Sequence, residues 1–355
     1  MLRREVVILK ERKMIMLKKI SKDDHRKYNF YNFKELGLVI FLVLLCIIFQ
    51  LINPRFLTVE NIKDLITNTA ILSILAVGMM LVLVTRGIDL SIGATLALSG
   101  MTSALTVSKY QSLSPIVAIL IGVMIGMVCG FIVGLLVAKA KILPIIASLG
   151  MMNVYRGLTY IISGGSWVSA DQMPSSFKSI ATSSILGINN LIFIAIIIYL
   201  FFYYFINYTR TGRQIYAVGS NPDSAIITGI KIDNVLLMVY TIMGLLAGLG
   251  GVLWVSKFAS AQGDTATGYE LTVIASCVLG GVSIAGGSGK IIGVILGSLL
   301  IGTLNNALPL IKVSSFWEQA IQGFVILIGI LINVFVTRRA RYNNLKRRAL
   351  INGGE

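Results

Sequence analysis

Leu83-Val84-Thr85-Arg86-Gly87-Ile88-Asp89-Leu90-Ser91-Ile92-Gly93 interrupts an apolar run that otherwise extends from Ile62 to Val107. An Arg, an Asp and two Gly stand where every neighbour is membrane-grade. Ionisable side chains flanked by such sequence are expensive in lipid and face a bundle interior or an aqueous path. Glycines on either side let the helix break, which hydrocarbon tolerates only where protein or a cavity surrounds the freed backbone. Two readings stay open at this point: the start of a solute path, or a tight polar loop between two spans.

Composition selects the class. The chain has 355 residues, 56% hydrophobic and 13% charged, with mean hydropathy +0.85. Soluble domains carry roughly 25% charged residues, so this is an integral membrane protein. A formal charge of +16 invites a nucleic-acid reading, but the position of the charge excludes it. Eleven Lys/Arg lie in residues 1–35 and six in 338–355, so seventeen of 31 occupy two short tails. That is a positive-inside signal, and such tails also suit anionic lipid. Cys46, Cys129 and Cys277 lie singly in apolar runs, with no CxxC spacing and no disulfide framework. About 35 mostly polar residues precede the first apolar segment, which is not the layout of a cleavable signal. Met14 and Met16 are alternative starts to Met1.

Apolar runs long enough to span lie near 36–52, 62–84, 116–138, 143–163, 188–206, 235–256, 291–308 and 319–337. Two shorter runs, 94–107 and 271–282, are rich in Gly, Ser or Ala and by length alone suit re-entrant or core segments. Two basic tails imply two cytoplasmic termini and an even number of spans. Counting both short runs gives ten. Residues 139–142, 208–234 and 283–290 then lie inside, and 53–61, 108–115, 164–187, 257–270 and 309–318 outside. Twenty-four Lys/Arg fall inside, and Trp167, Trp254 and Trp317 all land at the outer interface, where indole rings favour the headgroup level.

Gly122, Gly126, Gly130 and Gly134 recur every four residues in the fourth run, and Gly293 and Gly297 repeat the theme in the ninth. Such rows let helices approach closely. The stretch from Gly126 to Arg156-Gly157 and the stretch from Gly293 to Gln322-Gly323 differ in length by one residue. An offset of five helices makes the copies inverted in the membrane, a transporter signature. The expected fold is therefore all-α and polytopic, with about ten transmembrane helices and an inverted five-helix-offset repeat.

Enzyme chemistry finds no support. Gly286-Gly287-Ser288-Gly289-Lys290 fails the phosphate-loop pattern at Ile284 and Ile291, so it reads as a tight cytoplasmic turn. The single histidine, His25, excludes His-based triads and His-clustered metal sites, and no G-x-S-x-G elbow occurs. The largest polar insertion is 207–234. Within it Asn221, Pro222 and Asp223 read as an N-cap, a first-turn proline and a helix-start acid, and Gly229 as the stop. The pattern predicts a two-turn helix, Pro222 to Gly229, in an otherwise polar loop.

Four stretches in order carry a resemblance: TRGIDLSIG (85–93), GRQIYAVGSNPDSAIITGI (212–230), TGYELTVIASCVLGGVSIAGGSGKIIG (267–293) and Asn305-Asn306. From about Asn53 to Val336 the chain resembles the ribose-type sugar permeases of bacterial ABC importers, a group that includes xylose, rhamnose and furanosyl-autoinducer systems. It is more distantly similar to the cobalamin permease fold. The resemblance implies a ten-helix permease domain over 36–337 between basic cytoplasmic tails, 1–35 and 338–355. It implies a dimer of permeases, homo- or heterodimeric, docked to ABC ATPase subunits inside and a sugar-binding protein outside, in the bacterial plasma membrane and with no cofactor. Carried over by position, Asn221, Pro222, Asp223, Ser224, Ala225 and Gly229 form the coupling helix. Arg86, Asp89, Tyr269 and Glu270 are candidates to shape or gate the path, or else to pair and stabilise the broken helices. Asn153, Asn305 and Asn306 are candidate hydrogen-bond partners for a neutral sugar. The competing expectation is an ion-coupled secondary transporter, which usually buries ionisable residues mid-span.

Overall fold

The computed structural model describes residues 36–331, apart from 315, 319, 325–326 and 329–330. Both basic tails and most of the last apolar run lie outside the described residues. The described residues are mostly helical. Helix α1 covers Leu36–Ile52, α2 Val59–Val84, α3 Ile92–Lys109, α4 Pro115–Ala138 and α5 Pro144–Ser163. A short α6 (Ser175–Thr182) and a two-stranded hairpin (β1 Ser184–Ile185, β2 Ile188–Asn189) lead to α7, Asn190–Tyr208. Then come α8 (Arg210–Ser220), α9 (Pro222–Ile227), α10 (Ile232–Phe258), α11 (Tyr269–Leu279) and α12 (Ile291–Leu310). Among the described residues six helices are long and apolar enough to cross a membrane: α2, α4, α5, α7, α10 and α12. Helices α1 and α11 are apolar but shorter, at 17 and 11 residues by their bounds.

Two helices form the centre. From Thr69 to Val84 every residue of α2 is buried, the pattern of a helix apolar on all sides and surrounded by others. It touches α7, α10, α11 and α12. Helix α10 packs most extensively on α4, through facing glycines. A Cβ added to Gly126 would lie 2.5 Å from the Cα of Gly248 and 2.6 Å from its N, so the two backbones meet directly there. Outward, α4, α5 and α7 present large apolar side chains such as Leu120, Ile161, Leu200 and Phe201. A belt of that kind suits lipid.

The helices bring loops together in two separate groups. At one end Lys139 and Lys141 reach Asp233, and Gly287 N donates to Val84 O at 2.9 Å. At the other, Asn53 Nδ2 donates to Leu310 O and Gln111 Nε2 to Gln172 O, both at 2.9 Å. Val168 and Ala261 pair their backbones both ways at 3.0 Å at this second end. Each contact joins segments that the charge pattern assigns to one side of the membrane.

Candidate functional site

The interruption after α2 is the organising feature. Helix α2 stops at Val84, and residues 87–91 run without regular structure to α3. Arg86 takes a left-handed φ of +65° to start the turn. Its side chain leaves the break altogether: Nε donates to Gly219 O at 2.7 Å and Nη2 to Ser220 O at 2.8 Å. Those carbonyls end α8, where a helix leaves four acceptors without internal partners and carries partial negative charge. The guanidinium therefore caps a helix 133 residues away in sequence.

Three further contacts close this junction. Gly219 lies so near Val84 O and Gly287 N that no Cβ fits. Tyr216 of α8 donates its hydroxyl to Gly289 O at 2.6 Å. Burial pushes that phenol up to about 12, so it stays a donor at any physiological pH. The end of α2, the last turn of α8 and the 286–289 turn thus form one unit. Helix α9 follows α8 with a single residue between them. Asn221 caps it by accepting from Ser224 N at 3.1 Å, Pro222 fills the first turn, and Asp223 is the first-turn acid. Ala225 is buried, while Ile226 and Ile227 are 60% and 86% exposed. The helix is shorter than the sequence predicts: it stops at Ile227, and Gly229 takes a φ of +80° just beyond. The polar loop expected before it is largely α8, an amphipathic helix that buries Gly212, Ile215, Val218 and Gly219.

Asp89 sits apart from Arg86. It is 2% exposed, and its Oδ1 accepts from Ser91 N at 2.8 Å and Ser91 Oγ at 2.6 Å. The two charges of the break do not pair with each other: Arg86 donates to backbone carbonyls and Asp89 accepts from Ser91. Ser148 Oγ of α5 donates to Ile88 O at 3.2 Å, and the Tyr240 hydroxyl of α10 stands where a Cβ on Gly87 would go. That hydroxyl is buried without a hydrogen-bond partner among the described residues. Burying a hydroxyl unpaired costs roughly 1–3 kcal/mol, so the break is a place of unspent polar capacity.

Glu270 lies beside the start of α3: a Cβ on Gly93 would come within 2.6 Å of its Oε2 and of Ala266 O. Tyr269 packs edge-on against Trp254, centroids 5.1 Å apart at 77°. The structure therefore brings Tyr269, Glu270 and the beginning of α3 together. Arg156, which lies within the apolar run 143–163, fixes this region. Its Nη1 donates to Gly263 O at 2.8 Å and Thr265 O at 2.7 Å, tying α5 to the 259–268 loop.

The three amide candidates are not gathered. Asn306 and Asn61 exchange amide hydrogen bonds at 2.9 and 3.1 Å, which locks α12 to α2. Asn305 and Asn153 are exposed, and Asn153 Nδ2 donates to Leu149 O of its own helix at 3.0 Å. Asn306→Ala should thus cost about 1 kcal/mol by stranding the Asn61 amide, and Asn305→Ala less than about 0.5. Apparent melting temperatures of the detergent-solubilised protein check this; equal shifts for both variants would refute it.

Comparison with known proteins sets these elements in a family. The model for "Branched-chain amino acid transport system / permease component" matches residues 61–330. The ribose import permease RbsC of Bacillus subtilis is 42% identical over 84% of this chain and 92% of its own length. The RbsC protein of Escherichia coli K12 is 37% identical, covering 84% and 93%. The autoinducer 2 import permease LsrC of Salmonella typhi is 32% identical, covering 89% and 90%. No solved structure matches the chain. The chain belongs to this permease family: it is a multi-pass transport component of an ABC importer, not an enzyme.

Proposed function

We propose that this chain imports a small neutral carbohydrate, ribose-like or furanosyl, as the permease of an ATP-driven system in the bacterial plasma membrane. Partner ATPases move the coupling helix, and the path opens alternately to each side. The observation that carries this reading is the Arg86 fork, which joins the broken end of α2 to α8 and so to α9. A push on α9 reaches the membrane core through that joint. The exposed Ile226 and Ile227 give an ATPase groove something apolar to hold. Ribose and autoinducer 2 in the relatives' names favour a sugar over the amino acid of the family description.

The finer architecture has support of its own. Loops assigned to one side touch one another, as ten spans with two cytoplasmic termini require, and the 259–268 loop reaches in from the outer side as far as Gly93 at the start of α3. Under a five-helix offset α3 and α4 correspond to α11 and α12, and α10 to α2. Helices α3 and α4 pack on α10, and α11 and α12 pack on α2, as an inverted repeat demands. A second permease copy, identical or paralogous, fits the face of α5 where Gly150, Asn153 and Gly157 lie open among apolar residues. An amide facing lipid is costly, and a partner helix removes that cost. The cytoplasmic tails 1–35 and 338–355 complete the domain plan around 36–337.

The test is reconstitution. With ATPase and sugar-binding subunits, ATP should drive D-ribose uptake; in liposomes holding this chain alone a pH step should drive none. Asp89 favours the second reading, an ion-coupled transporter, because its Oδ2 has no hydrogen-bond partner among the described residues. Uptake driven by a pH step and lost in Asp89→Asn would establish that reading instead. Coupling is checked separately. Crosslinks from Ser224 should reach the ATPase, and Asp223→Lys, which reverses the first-turn charge of α9, should weaken association roughly two- to fivefold. Crosslinks that form only from the 283–290 turn would assign coupling there.

A further inference from the structure

Between the end of α10 and the loop leading to α11 lies a cavity of about 300 Å³. Its size falls at the lower limit of the ~300–1,000 Å³ typical of small-molecule sites. One wall is aromatic: Trp254 and Phe258, centroids 5.0 Å apart and tilted 49°. The other wall is polar and carries Ser260, Gln262, Asp264 and Thr265. Resting on the import reading above, we propose that this cavity is a carbohydrate reception subsite, the first place the permease holds a sugar released on its outer face.

The polar wall is fixed by its own hydrogen bonds. Gln262 Nε2 donates to Ser260 Oγ at 3.1 Å, and Thr265 Oγ1 accepts from Gln262 N at 3.2 Å. Arg156 holds the same loop from behind, and the Val168–Ala261 pairing clamps its start. Acceptors are left over. Among the described residues neither Gln262 Oε1 nor the Asp264 carboxylate receives a hydrogen bond. Acceptors of that kind suit O–H donors, and a carboxylate makes the stronger bond of the two. Aromatic rings opposite them suit the C–H face of a sugar ring, which is apolar where the hydroxyls are not.

The same wall excludes other solutes. Among the described residues no cationic side chain lines the cavity. Arg156 Nη1 donates to two backbone carbonyls of the loop, and Lys257 donates to Asn68 Oδ1 at 2.5 Å. A phosphorylated sugar would meet Asp264 with like charge. An amino acid could offer its ammonium to Asp264 but would find nothing for its carboxylate. The arrangement selects an uncharged polyol over both.

The test uses Trp254 as reporter. In Trp167→Phe/Trp317→Phe permease held in nanodiscs, Trp254 is the one tryptophan left. D-ribose should change its fluorescence saturably at millimolar concentration, and ribose 5-phosphate and leucine should not. Asp264→Ala and Gln262→Leu should each weaken the response roughly tenfold, as for loss of one good hydrogen bond. Asp264 is exposed and its side chain accepts no hydrogen bond among the described residues, so Asp264→Ala should fold. In the full complex both substitutions should raise the half-saturation for ribose uptake and leave basal ATP hydrolysis unchanged. Uptake with wild-type kinetics in both variants, or a Trp254 response to leucine and not ribose, overturns the subsite. Only a complex that imports no sugar overturns the import reading itself.

Discussion

Arg86→Ala is expected to leave the permease inserted and bound to its ATPase while cutting ATP-driven uptake ten- to a hundredfold. The fork to Gly219 O and Ser220 O is two charge-assisted hydrogen bonds, at 2.7 and 2.8 Å, on the negative end of α8. Hydrogen bonds to a charged group contribute about 1.5–3 kcal/mol each, and one such loss at the transition between open and closed states is ten- to a hundredfold in rate. The backbone at Arg86 argues the same way. A left-handed φ at a non-glycine residue costs of order 1 kcal/mol and persists only when its surroundings hold it. Here the fork does the holding. Arg86→Lys keeps the charge but not the planar fork and should fall between the two. Basal ATP hydrolysis should survive in both variants, so the readout is the ratio of sugar moved to ATP consumed. Arg86→Ala transporting within twofold of wild type would show that α2 and α8 are coupled by packing alone.

How much of this was legible in the sequence depends on the distance over which each feature is decided. Apolar length is local, so the long runs as far as 291–308 and the helices coincide within a few residues, while 319–337 lies mostly outside the described residues. The run 94–107 becomes the longer α3, because Thr, Ser and Gly hide a helix from hydropathy but not from hydrogen bonding. Helix α9 was readable from Asn221-Pro222-Asp223 because caps and first turns are local chemistry. Its neighbour α8 was not, since Thr209-Arg210-Thr211-Gly212 reads as polar. The spacing of Ile215, Val218 and Gly219 at three, six and seven residues from Gly212 was the signal that could have found it. Arg86 was singled out correctly as unusual, but its partners lie 133 and 134 residues on, beyond any periodicity argument. The same holds for Asn306, whose partner Asn61 is 245 residues away. Trp254 read as an interface anchor; only the fold puts it against Tyr269 and over a cavity. Arg156 stood out by being charged within a span, and nothing nearby in sequence says that it holds the 259–268 loop.

Gly126→Leu should abolish recovery of folded protein. No hydrophobic force draws two helices together inside lipid, because the tails are as apolar as leucine; close packing has to hold them. Helices α4 and α10 achieve it through Gly126 and Gly130 set against Gly244 and Gly248, backbone to backbone. At Gly126 a Cβ meets the Cα and N of Gly248 and the carbonyl of Gly244, and none of these can swing away as a side chain would. The helices must separate, and every contact along the seam weakens with them. Overpacking of this kind costs about 1–3 kcal/mol where neighbours can give, and more where they are backbone. Because α10 also carries α2, α3 and α6, the damage does not stay local. Gly126→Ala should be intermediate. Gly150→Leu is the matched control, with nothing within 4 Å to meet a new Cβ, so the single chain should fold. Size-exclusion profiles and melting temperatures of the solubilised variants decide it. Gly126→Leu purifying with wild-type yield and stability would mean that the glycine seam does not hold α4 to α10.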